Sequence, residues 1–283
     1  MKQRTQFTGL ILLTLSFIMP SICAGQSLPS IQEKSLRIPV GMKIDGKAAE
    51  FNNTFQAYNK TTYLYYTLSN DDDNLYLVIQ SKNVGINHKI FHSGITFTVN
   101  PYGSKNEKEG MAVTFPAITE SYRTALRKPI AGLALGRNED STPKNEKGAK
   151  PARETASQAD SMVGLRHKVY LTYAKEIGIA NIQEINTPTI SIYNDKDIST
   201  KITVGDNNVL TYELSVPLRY FKLSTSTAGD IAYQITLNDY SALYKGTRPP
   251  RLIIQGDPRG LGGIDIRLLD SRLDFWGSYK LAK

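Results

Sequence analysis

The chain has 283 residues, 40% hydrophobic and 21% charged, with 34 Lys and Arg against 26 Asp and Glu for a formal charge of +8. That length suits one large all-β domain, and a single cysteine excludes an internal disulfide framework. The basic excess is mild and reads as a solvated surface, which argues against a nucleic-acid partner.

Lys2 and Arg4 precede the apolar run Gly9 to Met19, and the small residues Ala24 and Gly25 follow. This is the pattern of a secretory signal peptide over 1–25, cleaved near Gly25 and Gln26, so a periplasmic or secreted location is expected. Ile22 stands where a lipid-anchored cysteine needs a small residue, which argues against an anchor at Cys23. Cleavage would leave about 258 residues (283 minus 25), without cysteine, and 32 basic against 26 acidic side chains, a net of +6. No later segment is long and apolar enough to span a bilayer.

A polar lead, 26–35, precedes a domain expected over 36–283. Leu36 to Val40 reads as a strand, and Asp45-Gly46 as a turn. Thr62 to Gln80 reads as a hairpin, with Leu64, Tyr66 and Leu68 on one face and Leu75, Leu77 and Ile79 on one face of its second strand. Gly85 to Gly94 reads as a loop leading into a strand that carries Ile95, Phe97 and Val99. Met111, Val113 and Phe115 alternate before Pro116. Residues 137–162 are charged and nearly devoid of large apolar side chains, so a mobile surface insertion is expected. Strands resume at Thr189–Tyr193, Ile198–Val204, Val209–Val216, Ile231–Leu237 and Leu273–Leu281, with one helical turn at Pro217–Leu223. Many short strands punctuated by Gly, Asn, Asp and Pro argue an all-β, antiparallel β-sandwich in a single domain, with long loops and one or two short helical turns.

The ordered series Ile44-Asp45-Gly46, Glu50-Phe51, Asn70-Asp71, Leu75-Tyr76-Leu77, Gly94-Ile95-Thr96, Phe115-Pro116, Ile192-Tyr193-Asn194, Leu210 to Pro217 and Ala232 to Ile235 carries a likeness. It resembles exported, Bacteroidetes-like bacterial proteins built on the fold of family-9 carbohydrate-binding modules, which is related to DOMON domains. The resemblance implies immunoglobulin-like or jelly-roll-like layers, a sugar held between exposed aromatic rings, and structural calcium in many members. Aromatic faces suit sugars because pyranose C–H groups present an apolar surface while nearby polar groups read the hydroxyls. The sugar-binding members clamp with two tryptophans, whereas this chain has one, Trp276. Tyr63, Tyr65 and Tyr102 are therefore candidate ligand-binding residues beside it.

Asn70, Asp71 and Asp73 form the densest oxygen cluster and are compatible with calcium, although Asn and Asp also build plain hairpin turns. Asn194 to Asp197, and Asp45 with Glu50, read the same two ways. His88 and His92 are four apart, a metal-ligating spacing only on a helix, and His167 has no visible partner. Met42, Met111 and Met162 are the available haem-type ligands, without a supporting motif. No Gly-x-Ser-x-Gly, P-loop or Rossmann pattern occurs, and Gly256 to Gly263 reads as a loop. Glu213 is the most suggestive acid, because it lies within an apolar strand. The expectation is an exported, non-catalytic module for carbohydrate. The alternatives are a periplasmic structural or interaction protein and a component of a carbohydrate-active hydrolase.

Overall fold

The computed structural model describes residues 27–127, 156–205, 207–226, 229–244 and 270–283, with backbone alone for 156–163, 242 and 244. The expected signal segment with Gly25 and Gln26, most of the stretch 137–162 and the stretch Gly256–Gly263 lie outside those residues. Among the described residues, eleven strands form two antiparallel sheets, as the alternation predicts. One sheet runs β1 (Ala57–Asn59), β2 (Leu64–Asn70), β3 (Asn74–Ser81), β9 (Leu210–Pro217), β8 (Ser199–Val204). The other runs β11 (Leu273–Lys280), β10 (Asp230–Leu237), β4 (Ile95–Asn100), β5 (Met111–Phe115), β6 (Glu176–Ala180), β7 (Thr189–Ser191).

The core lies where the apolar parity of each strand points inward. Leu64, Tyr66, Leu68, Leu77 and Ile79 of the first sheet are buried, as are Phe97, Val99, Ile231, Tyr233 and Ile235 of the second. Full burial of such a side chain stabilises the fold by about 1.5–3 kcal/mol. Two buried phenols meet across the sandwich, Tyr66 Oη and Tyr233 Oη being 2.9 Å apart, and Tyr66 packs on Phe275 at 5.1 Å.

The outer face of the first sheet is covered as well. Residues 36–56 fold over it and bury Ala48, Phe51, Phe55 and Val78, with Leu36, Ile38, Met42 and Tyr65 alongside. Leu36–Val40 makes a single parallel bridge, Arg37 to Asn70, in place of a full strand. The lead expected outside the domain is part of it. Gln32 is buried, donates to the Leu68 carbonyl (2.8 Å) and accepts the Leu68 amide (2.7 Å).

Helix is more extensive than one or two turns. Gly85–Gly94 is not a loop but α1 (Val84–Ser93), because Asn83 Oδ1 caps its start by accepting from Gly85 N (2.9 Å) and Ile86 N (3.1 Å), and Ile86, Ile90 and Phe91 bury its inner side. α2 (Glu120–Arg127) follows β5, and α4 (Ser241–Tyr244) follows β10. α3 (Ala156–Leu171) takes helical backbone from 156, where an irregular insertion was expected to run to 162. No helix among the described residues is long and apolar enough to cross a membrane.

Candidate functional site

On β11, Leu273, Phe275 and Tyr279 turn inward and are buried, so parity places Trp276 on the outer face of this edge strand, where it is partly exposed. The antiparallel register sets Trp276 opposite Gln234, and Gln234 opposite Thr98. The next row is Asp274, Thr236, Thr96 and Thr114. This outer face is therefore small and polar where the inner face is aliphatic and aromatic.

Hydrogen bonds tie that polar face together. Gln234 Nε2 donates to Asp274 Oδ1 (2.9 Å), and Thr96 Oγ1 lies 2.7 Å from Thr114 Oγ1. Arg272 bridges Glu107 (2.7 Å) and Asp274 (3.1 Å) across its margin. Thr98 Oγ1 and Gln234 Oε1 are buried without a hydrogen-bond partner among the described residues.

Trp276 also lines a cleft of ≈ 480 Å³ between β11 and the docked lead, with Glu33, Lys34, Lys105, Asp230, Ser278 and Lys280 around it. That volume falls in the range of small-ligand sites, about 300–1,000 Å³. The cleft thus combines one aromatic plane with donors and acceptors of both signs. Tyr279 forms its floor on the buried side, where burial pushes its phenol up to about 12.

The other sequence candidates are dispersed. Tyr102 is 84% exposed in the turn after β4, and the next residue, Gly103, lies against Asp230 at the rim of the same cleft. Tyr63 and Tyr65, which strict alternation puts together on an open face, are not together. Tyr63 has a left-handed φ of 58° and packs on the inter-sheet core. Tyr65 lies on the outer face, flanked by Tyr58 (4.4 Å), Phe55 (6.1 Å) and the ammonium of Lys82 (5.0 Å). Both remain partly exposed. Tyr193, 81% exposed, with Lys175 Nζ 5.9 Å from its ring, is an open aromatic that sequence reading did not select.

In the acidic turn, Asp71 Oδ1 accepts the amides of Asp73 (2.9 Å) and Asn74 (2.6 Å), and its Oδ2 accepts the Tyr76 hydroxyl (2.7 Å). Burial and that carboxylate push the Tyr76 phenol up to about 12. Asn70 is fully buried and spends its side chain on Tyr279 and Ala282. These are the bonds of a capped hairpin. Asp72, Asp73 and Asp197 do come together, lining a second cleft of ≈ 540 Å³, where Asp197 pairs with Arg219 (2.9 Å). Asp72 pairs with Arg37 (2.8 Å).

Glu213 is fully buried on the outer face of β9, where its two oxygens accept the amides of Gly46 (2.7 Å) and Ala48 (2.8 Å). It fastens the Asp45-Gly46 turn to the sheet, a role that explains an acid inside an apolar strand. The helix under His88 and His92 was also missed, although Asn83 and Gly94 bracket it in the sequence as cap residues. No protein-family model matches this chain, and neither a curated protein nor a solved structure matches it.

Proposed function

We propose that the chain is an exported, non-catalytic binding module that holds a carbohydrate at the Trp276 cleft. The observation that carries this reading is Trp276 itself: the sole tryptophan, partly exposed, lining a cleft ringed by polar and charged side chains. A pyranose stacked on the indole would present its hydroxyls to Lys105, Asp230, Ser278 and Lys280. The likeness to family-9 carbohydrate-binding modules and DOMON domains supports the same reading, with one ring in place of a two-tryptophan clamp. A non-catalytic role is supported by Glu213, whose carboxylate is committed to two backbone amides. The leader-like segment 1–25 supports export.

A single tryptophan makes the test direct, because its fluorescence reports on the cleft alone. Titration with plant, host and bacterial glycans should quench or shift the emission for one class and release heat in calorimetry. Trp276→Ala should weaken that binding about tenfold or more, since a stacked ring contributes about 0.5–1.5 kcal/mol beyond the area it buries. Tyr102→Ala should weaken it less. A panel that gives neither heat nor an emission change would sink the sugar assignment and leave an interaction protein of the periplasm.

A further inference from the structure

All three histidines of the chain meet at one place. His88 and His92 stand one turn apart on α1 with ring centroids 3.9 Å apart, and His167 of α3 lies 6.0 Å from His88. Phe91 stacks on His167 at 4.5 Å, while Tyr170 and Tyr240 flank His92 at 5.5 Å and 6.0 Å. The pocket is therefore walled by aromatic rings.

The nitrogens are unusually free for so enclosed a place. His92 Nδ1 is 2.9 Å from the His88 carbonyl oxygen, and a carbonyl only accepts, so Nδ1 carries the proton and Nε2 keeps its lone pair. A backbone carbonyl fixing one ring nitrogen is how metal-ligating histidines are commonly oriented. His167 is fully buried, and neither of its nitrogens has a hydrogen-bond partner among the described residues. Stacking on Phe91 accounts for the ring of His167 but not for its two unused nitrogens. A buried polar group left unsatisfied forfeits its hydrogen bonds to water, and natural folds tolerate few of them.

We propose that His88, His92 and His167 form a binding site for a first-row divalent transition metal, distinct from the Trp276 cleft. Three neutral imidazoles suit zinc, cobalt, nickel or copper and do not suit calcium or magnesium, which take oxygen ligands. Metal–nitrogen bonds of about 2.0–2.1 Å at a tetrahedral angle put two ligating ring centroids roughly 5 Å apart. The observed 3.9 Å and 6.0 Å fall on either side of that value. As they stand, no His, Cys, Asp or Glu triple among the described residues is in ligand geometry. The site closes by rotation of the partly exposed His88 toward the fixed His167, while His92 keeps the Nδ1 bond that orients it. That exposed side is also the ion's route in, and it leaves the fourth position to water.

The test uses the full chain, stripped with a chelator and titrated with Zn²⁺ against a chromophoric competitor, then with Co²⁺ followed by its visible absorption. The expected result is one bound equivalent, a tetrahedral cobalt spectrum and a higher melting temperature with Zn²⁺. His167→Gln and His92→Gln should each weaken binding about tenfold or more. His92 is partly exposed, so its variant guards against loss of binding through misfolding. With three histidines in all, imidazole proton resonances read the site in the unaltered protein and should all move with Zn²⁺. Resonances that stay still, no uptake by the folded chain, or variants that bind as tightly as the parent would each overturn the proposal.

Discussion

Glu213 joins two pieces of chain that are 167 residues apart, since its carboxylate accepts Gly46 N while Gly46 itself sits at φ 84° and Ala48 at φ 52°. Left-handed backbone at Ala48 is costly and persists only where neighbouring bonds hold it. Burial pushes the Glu213 carboxyl above its ordinary value of 4.5, and the two amide bonds only partly offset this. A folded-state pKa above the unfolded one means the folded chain binds the proton more tightly. The contribution of Glu213 to stability is therefore fully present below the unfolded pKa and declines as pH rises through the folded one. Glu213→Gln should remove that slope, and at neutral pH it should cost about 1–3 kcal/mol, because one backbone amide then faces a carboxamide NH₂. Urea unfolding of both proteins between about pH 4.5 and neutrality checks this, and parallel curves would contradict it.

α1 and α3 dock on one another and on the β8–β9 turn. Asn87 donates to the Asn208 carbonyl, and Gly164 of α3 lies so close to the Asn208 amide that a methyl group there would overlap it. Between the helices the three imidazoles are held neutral. Burial, with Arg166 and the neighbouring rings, lowers His92 to about 4 and His167 to about 3, and places His88 well below its usual range. Lys89, also on α1, is lowered by burial to about 8 against the opposing pull of Asp239 and Asp270. With folded values below unfolded ones, the stability these groups give is present above about 6.5 and is lost as pH falls toward 4. In the metal-free chain the unfolding free energy should drop by about 1.4 kcal/mol per pH unit for fully buried His167, and less for the partly exposed pair. Denaturation midpoints and near-ultraviolet circular dichroism between about pH 7 and pH 5 would show it. His167→Gln should flatten the profile, and an unchanged slope would refute the account.

The whole molecule is closed at Asn70. Its backbone accepts from Ile38 N and donates to Leu36 O, its Oδ1 accepts from Tyr279 Oη (3.0 Å) and Ala282 N (2.8 Å), and its Nδ2 reaches Ala282 O (3.0 Å). The Leu36–Val40 segment, the first hairpin and the chain just past the last strand thus meet at one buried residue. Asn70→Ala should cost about 2–4 kcal/mol, since it strands a buried phenol and main-chain groups at once. Its signature should be a lower urea midpoint together with faster proteolysis near the carboxyl end. A midpoint within about 0.5 kcal/mol of the parent, the usual range for a surface change, would rule out the closure role.

Period-two alternation in β2, β3, β4, β9, β10 and β11 was legible because each strand carries its large apolar side chains on the core-facing parity, and a one-residue slip would move all of them off the core. The side of β11 that Trp276 takes was read from the structure, where Phe275 and Tyr279 are buried and Trp276 is partly exposed. β1 was not legible, being too short to show a period, and α1 was obscured because Asn87, His88, Lys89 and His92 interrupt its apolar side. By itself the sequence determined the sandwich and its strand faces. Only the tertiary structure decided that residues 36–56 pack beside Tyr65, that Glu213 clamps a distant turn, and that three histidines 79 residues apart at the extremes converge (His88 to His167). Those outcomes depend on which segments pack against a face, and packing partners distant in sequence leave no periodic trace along the chain.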